Sequence, residues 1–424
     1  MVFYMPQGRT IKFGCNFGFL NSNSAHYKII IQNSELNLMK YLKYVGVLLL
    51  FASAVGIYYL KFYEDPRYAL IKTTDANASQ PTKALFDNLK NISKEKILFG
   101  HQDGLAYGVG WNDWHKKRSD VKDVCGKYPA VFGWDMSKLG LTSYNIDSVD
   151  FQQMKDWMKE VYKMGGINTI SWHMDNLANG GSSWDVQDSL RVVASILPNG
   201  KNHEAYKKKL DHFVDFVNDL EVGFIFKEKV PIIFRPFHEH TGSWFWWGAK
   251  FCTPDEYKSL WKFTVKYLRD EKGLDHILYA YSPDIFKDEA HYLECYPGDE
   301  WVDILGLDDY HDVGLMGNIE HLTERLRTVV KLAEEKGKVA ALTETGFESI
   351  PNETWWTDKL LKGIKNDPEA KKIAWVLLWR NDRPDHHYAP YPEHGSAANF
   401  IKFSEDPVML FADKLPEIYK LTWR

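Results

Sequence analysis

The sequence predicts an α/β fold, a single (β/α)8 TIM barrel. Over residues 82–424, eight short apolar runs alternate with stretches whose apolar residues recur every three to four positions. The phosphate loop GxxxxGK(S/T) is absent, and no glycine-rich loop follows the first apolar run. The sequence also has no internal repeat and no sign of a second domain. A doubly wound sheet is the alternative fold that this pattern leaves open.

The apolar runs have the length and the β-branched and aromatic content of buried strands. Strands of a barrel are buried on both faces, which explains why these runs lack polar alternation. The predicted strands are Ile97–Gln102, Ala130–Asp135, Ile167–His173, Val230–Phe237, Ile277–Ser282, Val302–Asp308, Val339–Glu344 and Ala374–Trp379.

The helices between the strands are predicted from apolar spacing and from signals at their ends. Thr253 and Pro254 have the form of an N-cap followed by a proline at the first helical position. Gly337 is a C-cap candidate. The predicted helices are Asp150–Met164, Glu204–Leu220, Pro254–Arg269, Asn318–Lys336, Thr354–Lys365 and Pro407–Lys414.

The N-terminal region has the features of an export signal. Lys40 and Lys43 precede an apolar run at residues 44–60, and residues 52–54 read Ala-Ser-Ala, the form of a signal-peptidase site. The run of about 17 residues is near the lower limit for spanning a bilayer, so a cleaved signal peptide and an uncleaved anchor both remain open. Met39 is a candidate translation start. We expect an exported protein that is periplasmic, at the cell surface or secreted.

The predicted organisation is a leader at residues 1–63, a polar linker at 64–81 and a catalytic barrel at 82–424. A net charge of −5 with 26% charged residues gives no indication of a nucleic-acid surface. The four cysteines have neither CxxC nor zinc-like spacing, so no disulfide framework is implied. We expect a monomer without cofactor or metal ion, which contacts a membrane only through the N-terminal hydrophobic segment.

The densest group of chemically active residues lies in PIIFRPFHEHTGSWFWWG, residues 231–248. A buried strand leads into Arg235, His238 and Glu239, and four aromatic residues follow at 244–247. Polar groups at the carboxyl end of a barrel strand are typical of an active site, and indole faces suit the apolar faces of sugar rings. The alternative is a core strand that ends in a salt-bridged turn with packed tryptophans.

Two glutamates fall at the ends of predicted strands on opposite sides of the barrel mouth. Glu239 follows the fourth strand and Glu344 ends the seventh, so the two carboxylates can face each other. Opposed carboxylates are required for glycoside hydrolysis, in which one protonates the leaving oxygen and the other attacks or activates water. Tyr310, after the sixth strand, is placed to hydrogen-bond the nucleophile and hold it ionised.

Other strand-end residues have structural alternatives. His173 is alternatively a core histidine, Trp379 a plug of the barrel, and Asp308 with Asp309 a capping and solvated pair. A metal-dependent barrel hydrolase would need an HxH motif on the first strand, where residues 101–103 read His-Gln-Asp.

At these residues the sequence resembles glycoside hydrolase family 26, the β-mannanase family of the retaining (β/α)8 glycosidases. The most specific motifs are RPFHE at 235–239 with Trp244 and Trp247, and TETG at 343–346. Supporting matches are GHQ at 100–102, SWH at 171–173, GLDDY at 306–310 and LWRN at 378–381.

The resemblance implies that Glu239 is the acid/base and Glu344 the nucleophile of a double displacement. It implies sugar contacts from His173, Arg235, His238, Trp244, Tyr310, Trp379 and Arg380, and more weakly from Trp184.

The implied substrate is a β-1,4-mannan, glucomannan or galactomannan. A mannobiohydrolase acting from chain ends, a xylanase or mixed-linkage glucanase of the same family, and a non-catalytic glycan-binding barrel are the alternatives. The loop at residues 382–396, rich in His, Pro and Tyr, is a candidate blocker of the cleft.

Overall fold

A computed structural model describes residues 37–53, 55–56, 65–112, 117–224 and 226–421. Two compact units are distinguished, Met1–Pro66 and Arg67–Arg424. In the first unit residues 37–53 and 55–56 are helical, whereas residues 54 and 57–60 of the predicted apolar run lie outside the described residues. None of the described helices combines the length and the apolar character needed to cross a membrane. The leader, the linker and the start at Met39 stay predictions.

The second unit is built on a closed barrel of eight parallel strands in sequential order. The last strand pairs with the first, with Leu98 opposite Trp375 and His101 opposite Leu378, so the barrel has no open edge. The strands are β1 Ile97–Gln102, β2 Val131–Asp135, β3 Ile167–Ser171, β4 Ile232–Arg235, β5 Ile277–Tyr281, β6 Ile304–Asp309, β7 Val339–Thr345 and β8 Trp375–Leu378. The predicted barrel is confirmed, and a doubly wound sheet is excluded.

Helices follow the strands around the outside of the barrel. Thr253 forms the capping box that its sequence predicts, and Gly337 ends its helix in the left-handed conformation. The α-helices are Gln80–Ile92, Asp120–Cys125, Phe151–Lys163, Val192–Ile196, His203–Asn218, Pro254–Lys266, Glu289–Leu293, Ile319–Lys336, Lys362–Lys365 and Ala397–Glu405. Shorter 3-10 turns lie at Pro66–Leu70, Asp188–Leu190, Asp299–Trp301 and Ala412–Lys414, and π-helical turns at Tyr267–Glu271 and Trp356–Leu361.

The prediction of a helix at Pro407–Lys414 is wrong. The last α-helix is Ala397–Glu405, and the chain beyond it runs as a short strand, Met409–Leu410, in parallel with the start of β1. The backbone N–H of Ile97 donates to the carbonyl of Val408 at 2.8 Å, and this bond would be lost if residues 407–414 were helical. The tertiary contact overrides the local helical signal of the proline.

Two apolar cores stabilise the barrel because alternate residues of each strand point to opposite faces. Leu98, Val131, Ile233, Leu278 and Leu377 fill the interior. Their strand neighbours pack outward against the helices; examples are Phe99, Phe132, Phe234 and Tyr279, which join Met154, Leu210, Trp261 and Leu326.

Candidate active site

Arg235 links three strands at the carboxyl end of the barrel. From the end of β4 its Nη1 donates to Asp308 Oδ2 at 2.6 Å, and its Nη2 donates to Glu344 Oε2. The side chain is 2% exposed, so it is a buried cation between two carboxylates of β6 and β7. Burial lowers the pKa of Arg235, but Asp308 and Glu344 outweigh it and raise the pKa above the usual range.

Glu344 is held at both of its oxygens. Arg235 binds Oε2, and the hydroxyl of Tyr310 donates to Oε1 at 2.8 Å. The hydrogen bond expected from Tyr310 is therefore present. Burial, followed by the charges of Glu344 and Glu239, raises the pKa of Tyr310 well above 10, so its hydroxyl keeps its proton.

A β-bulge in β7 determines where Glu344 points. Leu342 pairs with Leu307 of β6, but the next pair is Glu344 with Asp308, so Thr343 is an extra residue. The register of the pairing between β7 and β8 also shifts by one residue at this place. Thr343 fills the irregularity by donating its hydroxyl to Asp308 Oδ1 at 2.7 Å. Bulges commonly re-aim side chains beside active sites, as this one does for Glu344.

Glu239 lies in a different environment from Glu344. The indole N–H of Trp244 donates to Glu239 Oε2 at 2.6 Å, and the glutamate is 9% exposed. Burial raises the pKa of Glu239 well above 4.5, and the charges of Glu344, Asp308 and Asp284 raise it further. The backbone of Glu239 has a φ of 53°, an uncommon conformation for a non-glycine residue and a common one at functional turns.

Two histidines lie beside the glutamates in a network that starts at β2. His173 Nδ1 is 2.8 Å from Asp135 Oδ2, and its ring meets that of His238 edge-on at 4.7 Å. Burial lowers the pKa of His173, but Asp135 outweighs it and raises the pKa above 6.5. Burial and Arg235 hold the pKa of His238 well below 6.5, and within the described residues neither of its ring nitrogens has a hydrogen-bond partner.

Aromatic side chains form the walls around these polar groups. Trp184 stacks on His173 with ring centroids 5.0 Å apart, and Trp379 meets the same ring edge-on at 5.9 Å. Trp184 is 45% exposed and Trp244 39% exposed, which leaves indole surface for a ligand. Trp379 is partly buried and is not a member of the apolar cluster that fills the barrel interior.

Arg380 lies on another side of the mouth, after β8. Its Nε is 3.0 Å from Asp147 Oδ1, and its Nη1 donates to the hydroxyl of Tyr107 at 3.3 Å. Tyr107 and Asp147 also line a cavity of about 490 Å3 with Trp111 and Asp382. Arg380 thus adjoins an open space lined by loops that follow β1, β2 and β8.

The structure places the predicted residues around the carboxyl end of the barrel, with Arg380 on another side of the mouth, and corrects the alternatives for Trp379 and for the aspartate pair. Asp308 and Asp309 are both fully buried, so the reading of a solvated pair is wrong. Asp135 and Thr343 were missed as supports of the site. The signal for Asp135 is its position at the end of a buried strand. Thr343 has no such signal, because its role depends on the register of two neighbouring strands.

Among the residues that the structure describes, no group of three or more His, Cys, Asp or Glu side chains is arranged to hold a metal ion.

Comparison with known proteins places the chain in a family. The model for glycosyl hydrolase family 26 matches residues 74–382. A mannan endo-1,4-beta-mannosidase of Bifidobacterium adolescentis is 36% identical over 332 residues; the alignment covers 73% of this chain and 32% of that protein. The chain thus spans about a third of that relative's length. A mannan endo-1,4-beta-mannosidase of Bacillus subtilis strain 168 is 31% identical, with 74% of this chain and 83% of that protein covered.

Solved structures agree with this placement. The GH26 beta-mannanase of Bacteroides ovatus is 42% identical with a TM-score of 0.76, over 81% of this chain and 98% of that one. A Cellulomonas fimi endo-beta-1,4-mannanase double mutant is 36% identical with a TM-score of 0.76, over 83% and 80%. The chain belongs to glycosyl hydrolase family 26.

Proposed function

We propose that this protein hydrolyses β-1,4-mannosidic bonds in mannan, glucomannan or galactomannan by a retaining double displacement. The observation that supports it most directly is the unequal setting of the two buried glutamates: Glu344 is bound to the cation of Arg235, whereas Glu239 has no ion-pair partner among the described residues. The relatives named above, described as mannan endo-1,4-beta-mannosidases and beta-mannanases, support the choice of substrate.

Glu344 is the proposed nucleophile. The guanidinium of Arg235 and the hydroxyl of Tyr310 each donate to one of its oxygens, which fixes the orientation of the carboxyl group. In the first step a carboxylate oxygen of Glu344 bonds to the anomeric carbon while the bond to the leaving oxygen breaks.

Glu239 is the proposed acid/base. Its raised pKa keeps the proton on the carboxyl group near neutral pH, so Glu239 can deliver it to the leaving oxygen. In the second step the Glu239 carboxylate takes a proton from water, which attacks the anomeric carbon and releases Glu344.

The remaining predicted residues are proposed to bind the sugar. His173 and His238 face the sugar between the glutamates, where the free nitrogens of His238 can bind hydroxyls. Trp379 and Tyr310 border the same subsite. The further aromatic and charged contacts are assigned to Trp244 on the leaving-group side, Trp184 as a wall and Arg380 on the glycone side.

Cleavage within chains requires an open glycone side of the cleft, whereas release of disaccharides from chain ends requires a blocked one. The loop at residues 382–396 is the segment that would block this side in an enzyme acting from chain ends. His386 Nδ1 lies 2.5 Å from Glu348 Oε1, and Tyr388 packs edge-on against Tyr310 at 5.8 Å, so the loop is bound next to the proposed nucleophile. The cavity beside Arg380 favours internal cleavage, because it offers a chain room beyond that side chain.

We also propose that the protein is exported and acts as a monomeric barrel on polysaccharide. The basic and apolar sequence of residues 40–60 supports export by a signal peptide or an anchor.

A product time course on linear mannan and galactomannan tests the function. We expect a ladder of oligosaccharides from the wild type, a β-configured first product by NMR, and no product from Glu344→Ala. Glu335→Ala, on an exposed helix surface, is the matched control and should keep full activity. Disaccharide alone from the earliest times would replace internal cleavage with chain-end action. If neither linear mannan nor galactomannan gives a product, the substrate assignment is refuted.

A further inference from the structure

The turn that presents Tyr310 is bracketed by two buried carboxylates. Asp309 ends β6 and Asp312 follows two residues after Tyr310; both are 0% exposed. The backbone N–H of Asp312 donates to Asp309 Oδ1 at 2.9 Å, which closes the turn. The turn therefore determines the direction of the Tyr310 side chain. It also places two negative charges close together and away from water.

One arginine from outside the barrel bridges both carboxylates. Arg325, on the helix Ile319–Lys336, donates from Nη1 to Asp309 Oδ2 at 3.1 Å and to Asp312 Oδ2. Its Nε donates to the carbonyl of Phe286 at 3.0 Å, in the segment after β5. The side chain is 16% exposed, so it is mostly withdrawn from solvent.

We propose that Arg325 is a positioning residue that fixes the Tyr310 hydroxyl against Glu344. The inference rests on the proposed role of Glu344 as nucleophile. Arg325 does not act on the sugar: it stabilises the turn, the turn aims Tyr310, and Tyr310 donates to Glu344 Oε1 at 2.8 Å.

The electrostatics of the turn agree with this role. Burial raises the pKa of Asp309 to about 6, and Arg325 opposes that rise. Asp284, from the segment after β5, adds a further negative charge, whereas His311 acts in the other direction. His311 Nδ1 and His321 Nδ1 also lie 3.2 and 3.8 Å from Asp312 Oδ1, but both rings are more than half exposed. Without Arg325 the two carboxylates repel each other and the turn opens.

A double-mutant cycle tests the inference. The variants are Arg325→Met, Tyr310→Phe and the two combined, assayed on mannan oligosaccharides. Arg325→Met should lower kcat/KM by up to about a hundredfold, the cost of a misplacement of about 1 Å in a reacting geometry. Because both residues act through one hydrogen bond, the double variant should be no slower than the slower single variant. Multiplied losses in the double variant would overturn the proposal.

Pre-steady-state kinetics separate positioning from a loss of folded protein. On an aryl glycoside with a good leaving group, the burst amplitude counts folded enzyme and the burst rate reports attack by Glu344, so Arg325→Met and Tyr310→Phe should lower the burst rate and keep the amplitude. A merely structural defect would lower the amplitude and leave the burst rate unchanged, and that result would refute the proposal. Arg327→Met is the matched control, because Arg327 lies on the same helix but binds Asp367 at the surface.

A milder variant covers the case in which Arg325→Met does not fold, as judged by circular dichroism. Arg325→Lys keeps one charge but lacks the fork that reaches two acceptors and Phe286. It should lower the burst rate by a smaller factor at full amplitude, and an unchanged burst rate would overturn the proposal. The wild type and Glu344→Ala belong in the same assay. An inactive wild type or an active Glu344→Ala would refute the proposed function itself, independently of the cycle.

Discussion

The hydrogen bond from Trp244 to Glu239 gives a prediction about pH. The indole N–H donates to Glu239 Oε2 at 2.6 Å and lowers the pKa of Glu239, against the larger effect of burial. Trp244→Phe removes that donor and keeps an aromatic wall. The hydrogen bond stabilises the ionised carboxylate more than the neutral acid. Its removal should therefore raise the pKa of Glu239 further.

The size of the shift follows from the strength of the bond and the exposure of its donor. A hydrogen bond to a charged group contributes about 1.5–3 kcal/mol, and about 1.4 kcal/mol corresponds to one pKa unit. A fully buried bond would thus give a shift of about one to two units. Trp244 is 39% exposed, so water can replace part of the lost bond. We expect the pKa of Glu239 to rise by about half a unit to one unit.

The assay is kcat/KM against pH on mannan oligosaccharides, whose leaving group needs a proton. This ratio reports the free enzyme, and it falls where Glu239 loses its proton, so the basic limb should move to higher pH in Trp244→Phe. Trp184→Phe is the matched control, because Trp184 lines the same cleft but stacks on His173. A basic limb that stays in place or moves down, or an equal shift in Trp184→Phe, would refute the reasoning.

Three further changes have defined outcomes. Glu239→Ala should slow hydrolysis of mannan strongly but spare the first step on aryl glycosides with good leaving groups; equal losses on both substrates in stopped-flow kinetics would contradict an acid role. Asp135→Asn should reduce the free energy of unfolding by about 1–3 kcal/mol in urea titrations, because Asp135 accepts from His173 and Ser137 while fully buried. Since the pKa of His173 is raised, the stability from this pair is complete below pH 6.5 and lost as pH rises through the raised pKa. The loss should therefore be larger at pH 5.5 than at pH 9, and a loss independent of pH would count against the ion pair. Gly346→Ala should lower activity and thermal stability, because Gly346 has a φ of 152° and a Cβ there would lie 2.4 Å from Tyr388 Cδ1; an unchanged Tm would contradict it.

Much of the barrel follows from the sequence because each strand is a local apolar run. The predicted and observed starts coincide at Ile97, Ile167, Ile277 and Val339, and elsewhere differ by one or two residues. The C-terminal segment was predicted wrongly for a reason that local patterns do not contain. Met409 and Leu410 extend along β1, and only the closed barrel makes that pairing available.

The site was predictable to the extent that its residues lie at strand ends. Arg235, Glu239 and Glu344 are such residues, and barrel topology alone places them around one mouth. Arg325 is different: it is a charged residue within a helix of alternating charges, and its sequence context is that of a solvent-exposed position. Its contact with Asp309 and Asp312 exists only because the helix packs beside β6, which no local pattern states.

The charge distribution is consistent with the two successive roles proposed for Glu239, first as acid and then as base. Arg235 lies against Glu344, whereas the carboxyl group of Glu239 accepts a bond only from the neutral indole of Trp244 among the contacts of the described residues. The charge of Glu344 raises the pKa of Glu239, second only to burial. In the proposed mechanism Glu344 forms an ester with the sugar and becomes neutral, so that contribution disappears. The pKa of Glu239 would then fall, and the residue that has just given its proton would be left as the base that the proposed second step requires.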